Sequence, residues 1–319
     1  MRDIPRAVGI AFDLHKLAMG ALGLMAACLA YGVFHSLGAM TGERAAHRVF
    51  IGLGALIATC LCVLFSGLIA RMTTTQLLED RRAGAADLRE FVRQRGNTLL
   101  GIPLAFGGLA ALLLGIEAMI TIVGAVPGIG PIVFSSSFLL VFLLSFGAVV
   151  TSLIHFVGAF LYPTIVAIRG VGAVGAMIEV IELARRKPLL LILYEAVAAA
   201  VGSLMTLLIG AVVWASLSLT TRGAESIMGE KYEQTLGSVP AFFGVFLRPF
   251  RKLLPMAVED LDAAWHYDLS GILLGASLLV VVVLTIVYPF VFFNAAGSIT
   301  YLILRTEPPA PERSPIEDL

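Results

Sequence analysis

Residues 272–293 read "ILLGASLLVVVVLTIVYPFVFF", without one charged side chain. An α-helix rises 1.5 Å per residue, so about 20 residues cross a hydrocarbon core of about 30 Å. A helix that is apolar all round has no face to offer water. This stretch therefore sets the class of the chain, and the rest follows its pattern. Of 319 residues, 59% are hydrophobic and 14% charged, a balance foreign to soluble globular proteins.

Apolar blocks recur at about 17–40, 50–70, 98–124, 134–168, 189–218 and 272–304, and the charges lie between them. The expected fold is all-α, a six-span transmembrane helical bundle occupying residues 1–305, with a disordered tail at 306–319. The fourth block exceeds what a bilayer needs, so it should tilt, kink or project, with Pro163 as the natural kink. "MRDIPR" before an apolar run resembles a signal peptide, and "LMAAC" ending at Cys28 a lipoprotein box. The chain stays apolar through "LAYGVFHSLGAM", so a retained first span is expected. Cys28, Cys60 and Cys62 fall inside spans and read as small packing residues.

Orientation follows from the basic residues. With the N-terminus inside, inner segments hold fifteen lysines and arginines and the two short outer loops only Arg44 and Arg48. The remaining five lie in the long outer loop, about 219–271. Both termini are thus expected to be cytoplasmic, in the cell inner membrane.

Three connecting segments show amphipathic character. Residues 74–96 are arginine-rich, with Leu88, Phe91 and Val92 as a short apolar face; an interfacial helix and a plain positive-inside loop are both open. Residues 171–187 place Val171, Val174, Ile178 and Ile181 on one helical stripe, with Glu179, Glu182, Arg185 and Arg186 off it. The Glu182–Arg186 spacing predicts an i,i+4 ion pair. In the outer loop, Leu254, Val258, Leu261 and Trp265 form one stripe of a predicted surface helix, and Glu259, Asp262 and His266 another.

Ionisable groups inside spans are costly and mark sites or buried partnerships. Here they are Glu117, His155 and Glu195, with Asn294 as an uncharged fourth. Each shares a helical face with small or polar residues: Thr151, Gly158 and Tyr162 beside His155, Ala199 and Ser203 beside Glu195, Thr121 beside Glu117, and Gly297, Ser298 and Tyr301 beside Asn294. Such faces should meet in the bundle interior. Gly54, Ala58, Cys62, Ser66 and Ala70, at strict i+4 steps, read as a packing seam. His155 and Glu195 lie at depths that let them meet, and with Glu117 they would form an acid–histidine–acid ladder for protons or solutes. Local hydrogen bonding of each group is the competing reading. Glu259, Asp262 and His266 could hold a metal or act as acid and base, or simply be a wet face.

No Ser-His-Asp set, phosphate loop or Cys/His zinc spacing is present, and "GAVPGIGP" at 124–131 is a turn. No catalytic residue, cofactor, metal or nucleic-acid partner is predicted. The block "YPTIVAIRGVGAVGAMIEVIELARRKP" followed by a span, with "YLILR" at 301–305, resembles the six-helix membrane proteins that include the membrane domain of glycerophosphodiester phosphodiesterases. That resemblance implies a link to lipids or membrane-associated machinery and supplies no catalytic residues. "LYPTIV" at 161–166 and "VYPFVF" at 287–292 are a short internal echo. The leading expectation is a non-catalytic scaffold or accessory subunit, contacting membrane lipids and other membrane proteins or itself. A proton-coupled or lipid or small-solute transporter is the alternative, and a membrane-embedded lipid enzyme the third.

Overall fold

The computed structural model describes residues 4–240, Phe243, Phe246 and 265–305, and among them there are helices and no strand. The helices are α1 (Ile4–Ala11), α2 (Leu14–Met40), α3 (Arg44–Leu78), α4 (Ala85–Gly124), α5 (Gly130–Gly158), α6 (Tyr162–Arg169), α7 (Ala173–Arg186), α8 (Pro188–Met228), α9 (Glu230–Gly237) and α10 (Trp265–Arg305). Six of them, α2, α3, α4, α5, α8 and α10, are long and apolar enough to cross a bilayer. Large side chains such as Leu139, Leu207 and Val212 lie open on them. In water that surface would drive aggregation; against lipid tails it costs nothing. The chain is a polytopic, all-α membrane protein.

The chain divides into two compact units, one of Met1–Ile10, Ala70–Ala200 and Phe293–Leu319, the other of Ala11–Ile69 and Val201–Phe292. In the first, α4 and α5 form a hairpin closed at residues 125–129, and Ser145 donates a 2.7 Å hydrogen bond to the Glu117 carboxylate across it. Residues 74–96 do not form a separate surface helix: α3 runs on to Leu78, and α4 runs unbroken from Ala85 through the span. Nothing between Leu88 and Leu99 halts the backbone, because the first proline, Pro103, comes later. The turn before α4 is fixed by Asp87, which accepts from the Gly84 amide at 3.0 Å and from Arg81 at 2.6 Å. Hydrogen bonds from Arg81 to Asp87 and then Glu79 push its guanidinium pKa further up.

The long fourth block is not one span. α5 stops at Gly158, and the chain restarts as α6 with Pro163 in its first turn, where a missing amide proton costs nothing. The Tyr162 ring lies over Gly158, where a Cβ would collide with it, and its hydroxyl donates to the Ile154 carbonyl at 3.2 Å. The α6 helix ends at Gly170, whose φ of +62° is open chiefly to glycine. After it α7 departs at 115°. The end of α10 packs here too: Thr164 and Ser298, both buried, share a 2.8 Å hydrogen bond. Ser298 also donates to the Asn294 carbonyl, so Thr164 supplies the proton between the two hydroxyls.

In the second unit the small-residue seam of α3 does what its spacing predicts. Gly54 seats the Phe34 side chain of α2, and Ser66 is buried. Gly23 on α2 receives the Phe65 ring, and Gly20 lies against Val287 and Val291 of α10. A core of Leu217, Leu236, Val239, Leu278, Leu279 and Val282 joins α8, α9 and α10, with Met25 and Cys28 of α2 packed against it. The segment expected as the outer loop begins as helix, since α8 runs on to Met228 and α9 follows.

Candidate functional site

The charged face of α7 supplies the best-formed site. Its apolar stripe points outward: Val174, Ile178 and Ile181 are exposed, while Ala176 and Val180 are buried beneath. Only a solvent that welcomes hydrocarbon, or a covering partner, makes that arrangement favourable. On the polar side Glu179 turns in to protein, while Arg185 and Arg186 stay exposed. One oxygen of Glu179 accepts from Arg169 at 2.9 Å and from the hydroxyl of Tyr301, whose ring is buried. The Glu179 bond, followed by the neighbouring charge, holds the Arg169 guanidinium pKa above its usual value.

Glu182 and Arg186 form the expected i,i+4 pair at 2.5 Å. Exposed as it is, such a pair contributes about 0.3–0.5 kcal/mol. Lys187, at the α7–α8 corner, donates to the Leu304 carbonyl at 2.8 Å and so satisfies an otherwise open carbonyl in the last turn of α10. These groups line an open cavity of about 450 Å³ to which Arg169, Arg186, Lys187 and Arg305 bring positive charge against two glutamates. A second cavity of about 320 Å³ lies on the other side of the α6 end, lined by Arg71, Asp87, Glu90, Phe91 and Arg95.

The polar groups expected inside spans each have their own local surroundings. Glu117 is held by Ser145 on the facing helix. His155 stands in an aromatic cluster, 5.0 Å from the Phe106 ring centre and 6.3 Å from that of Tyr162, nearly parallel to the latter. Its Nδ1 is buried without a hydrogen-bond partner. Glu195 is half-buried, and among the described residues no hydrogen bond or ion pair joins it to His155. Asn294 is fully buried on the face with Gly297, Ser298 and Tyr301, as its spacing predicts. Glu259 and Asp262 lie outside the described residues, and of His266 only the helical backbone is described. Among the described residues no group of three His, Cys, Asp or Glu could hold a metal.

Sequence reading passed over the Arg169–Glu179–Tyr301 contact. A signal was present: Tyr301 was already on the Asn294 face, and Glu179 lies off the apolar stripe of α7. Spacing does not encode that Glu179 alone among the α7 charges turns in, to Arg169 and Tyr301. No family model, curated protein or solved structure matches the chain.

Proposed function

We propose that this membrane protein is a non-catalytic component of a larger membrane assembly, joined to a second membrane protein along the α8 face that carries Glu195. The observation that carries it is Glu195 itself. It is half-buried in a helix whose apolar side chains lie largely open, and no hydrogen bond or ion pair reaches it among the described residues. A carboxyl group left on such a surface is costly, and a donor from another helix removes that cost. The outward apolar stripe of α7 adds a second uncovered surface.

Incorporation of the photoreactive p-benzoylphenylalanine at exposed Ala199, one turn from Glu195, tests the proposal. An adduct with a distinct membrane protein supports it, and adducts confined to lipid overturn it. The positive charge distribution supports an inner-membrane location with both termini cytoplasmic, checked by reporter fusions at each end. The transport alternative draws on the buried, unpartnered Nδ1 of His155. Neutral replacements of His155 and Glu195 that abolish pH-dependent uptake at unchanged protein levels would establish it in place of the assembly role.

A further inference from the structure

From the 320 Å³ cavity we infer a second role: a site for a phosphate group, held by Arg71 and Arg95. The inference is independent of the assembly proposed above. Both acids of this cavity are already engaged. Asp87 accepts from Arg81 and the Gly84 amide, and Glu90 accepts from Arg93 at 2.8 and 2.9 Å and from Gln94 at 2.5 Å. Among the described residues no hydrogen bond or ion pair engages the guanidinium of Arg71 or Arg95, and the Arg71 charge favours the ionised form of Asp87.

Arg71 is the more telling of the two. Its Nε is buried and has no hydrogen-bond partner. A buried, unanswered donor leaves the guanidinium charge without a protein hydrogen bond on that side, which favours an anion in the cavity that the residue lines. The Arg95 guanidinium is held over Gly170, where a Cβ would come within 2.5 Å of Nη2 and 3.0 Å of Cζ. The glycine that ends α6 thus also makes room for the arginine. Two guanidinium-bearing residues lining one cavity, with the neighbouring carboxylates hydrogen-bonded to Arg81, Arg93, Gln94 and the Gly84 amide, match the oxygens of a phosphate. The buried Phe91 ring supplies an apolar wall beside it. The phosphate can be the head of an acidic phospholipid or a soluble phosphate, and the two are separable.

The experiment uses the full chain in phosphatidylcholine nanodiscs, with native mass spectrometry reading retention of added phosphatidylglycerol. Preferential retention is expected, reduced about tenfold by Arg71→Gln or Arg95→Gln, the loss of one charge-assisted hydrogen bond. Arg89→Gln, which removes an exposed charge of the same segment, should leave retention within about twofold of the unaltered protein. Inorganic phosphate is titrated in parallel, with hydrogen exchange followed over residues 85–95 and 166–170. Lipid preference assigns the phosphate to a headgroup; protection by inorganic phosphate without lipid preference assigns it to a soluble anion. Neither response, or equal losses for all three variants, overturns the site. Should an arginine variant fail to fold, photoactivatable phosphatidylglycerol is applied to the unaltered chain. Crosslinks within 71–95 or 166–170 uphold the site. Crosslinks found only elsewhere, together with no protection by inorganic phosphate, overturn it.

Discussion

Replacing Gly297 by alanine tests how tightly α10 is seated in the first unit. A Cβ at Gly297 would stand 2.5 Å from the Phe160 carbonyl oxygen and 3.0 Å from its carbon, where ordinary contact begins at 3.4 Å. The backbone must therefore open by about 0.9 Å, since a carbonyl cannot swing aside as a side-chain tip can. Phe160 lies in the turn between α5 and α6, and its ring stacks on Phe293 with centres 5.3 Å apart. Pushing that turn away also stretches the buried Thr164–Ser298 hydrogen bond of 2.8 Å. Overpacking of this kind costs about 1–3 kcal/mol and the hydrogen bond about 1, so Gly297→Ala should destabilise by about 2–4 kcal/mol. Gly108, with nothing within 4 Å of its Cβ position, is the control. There alanine should gain up to about 1 kcal/mol of helix propensity. Unfolding in a titration with sodium dodecyl sulfate, followed by circular dichroism, compares the two. Equal midpoints for Gly297→Ala and Gly108→Ala would refute the close approach.

Further outcomes follow from other contacts. Ser145→Ala removes the donor that reaches Glu117 and should cost about 0.6 kcal/mol in the same titration, the usual size of an interhelical hydrogen bond in a membrane. Glu117→Gln keeps an acceptor and should unfold close to the parent. His155→Phe preserves the stack with Phe106 and Tyr162 and should keep the titration midpoint, whereas His155→Ala, at a half-buried position, should destabilise by about 2 kcal/mol and lower the midpoint. A loss with phenylalanine as large as with alanine would mean that the imidazole nitrogens matter. Glu179→Ala removes the acceptor shared by Arg169 and Tyr301, so hydrogen exchange over 173–186 should accelerate while α4 and α5 stay unchanged.

The spans were legible because lipid imposes a simple rule, long apolar runs with charges at their ends, and six such runs became six helices. Asn294 with Gly297, Ser298 and Tyr301 was legible as an interior face for the related reason that small residues let backbones meet. The break in the fourth block was harder. Pro163 pointed to it, but the stop lies at Gly158, where the Tyr162 ring folds back, a contact that spacing alone does not encode. Residues 74–96 read as an interfacial helix or a plain loop because their charges belong at an interface, yet α3 runs on to Leu78 and a continuous backbone carries 85–96 straight into α4. The charged cavity beside α7 was hidden by a habit of reading learned from water. Around a membrane, Val174, Ile178 and Ile181 can face out while Glu179 turns in to Tyr301.

The most direct test of the proposed assembly role is the mass of the intact particle released by gentle extraction at native expression. A stoichiometric complex of this chain with a different membrane protein, dissociated by Glu195→Leu, is the predicted result. A particle containing this chain alone, singly or as copies of itself, would contradict the proposal.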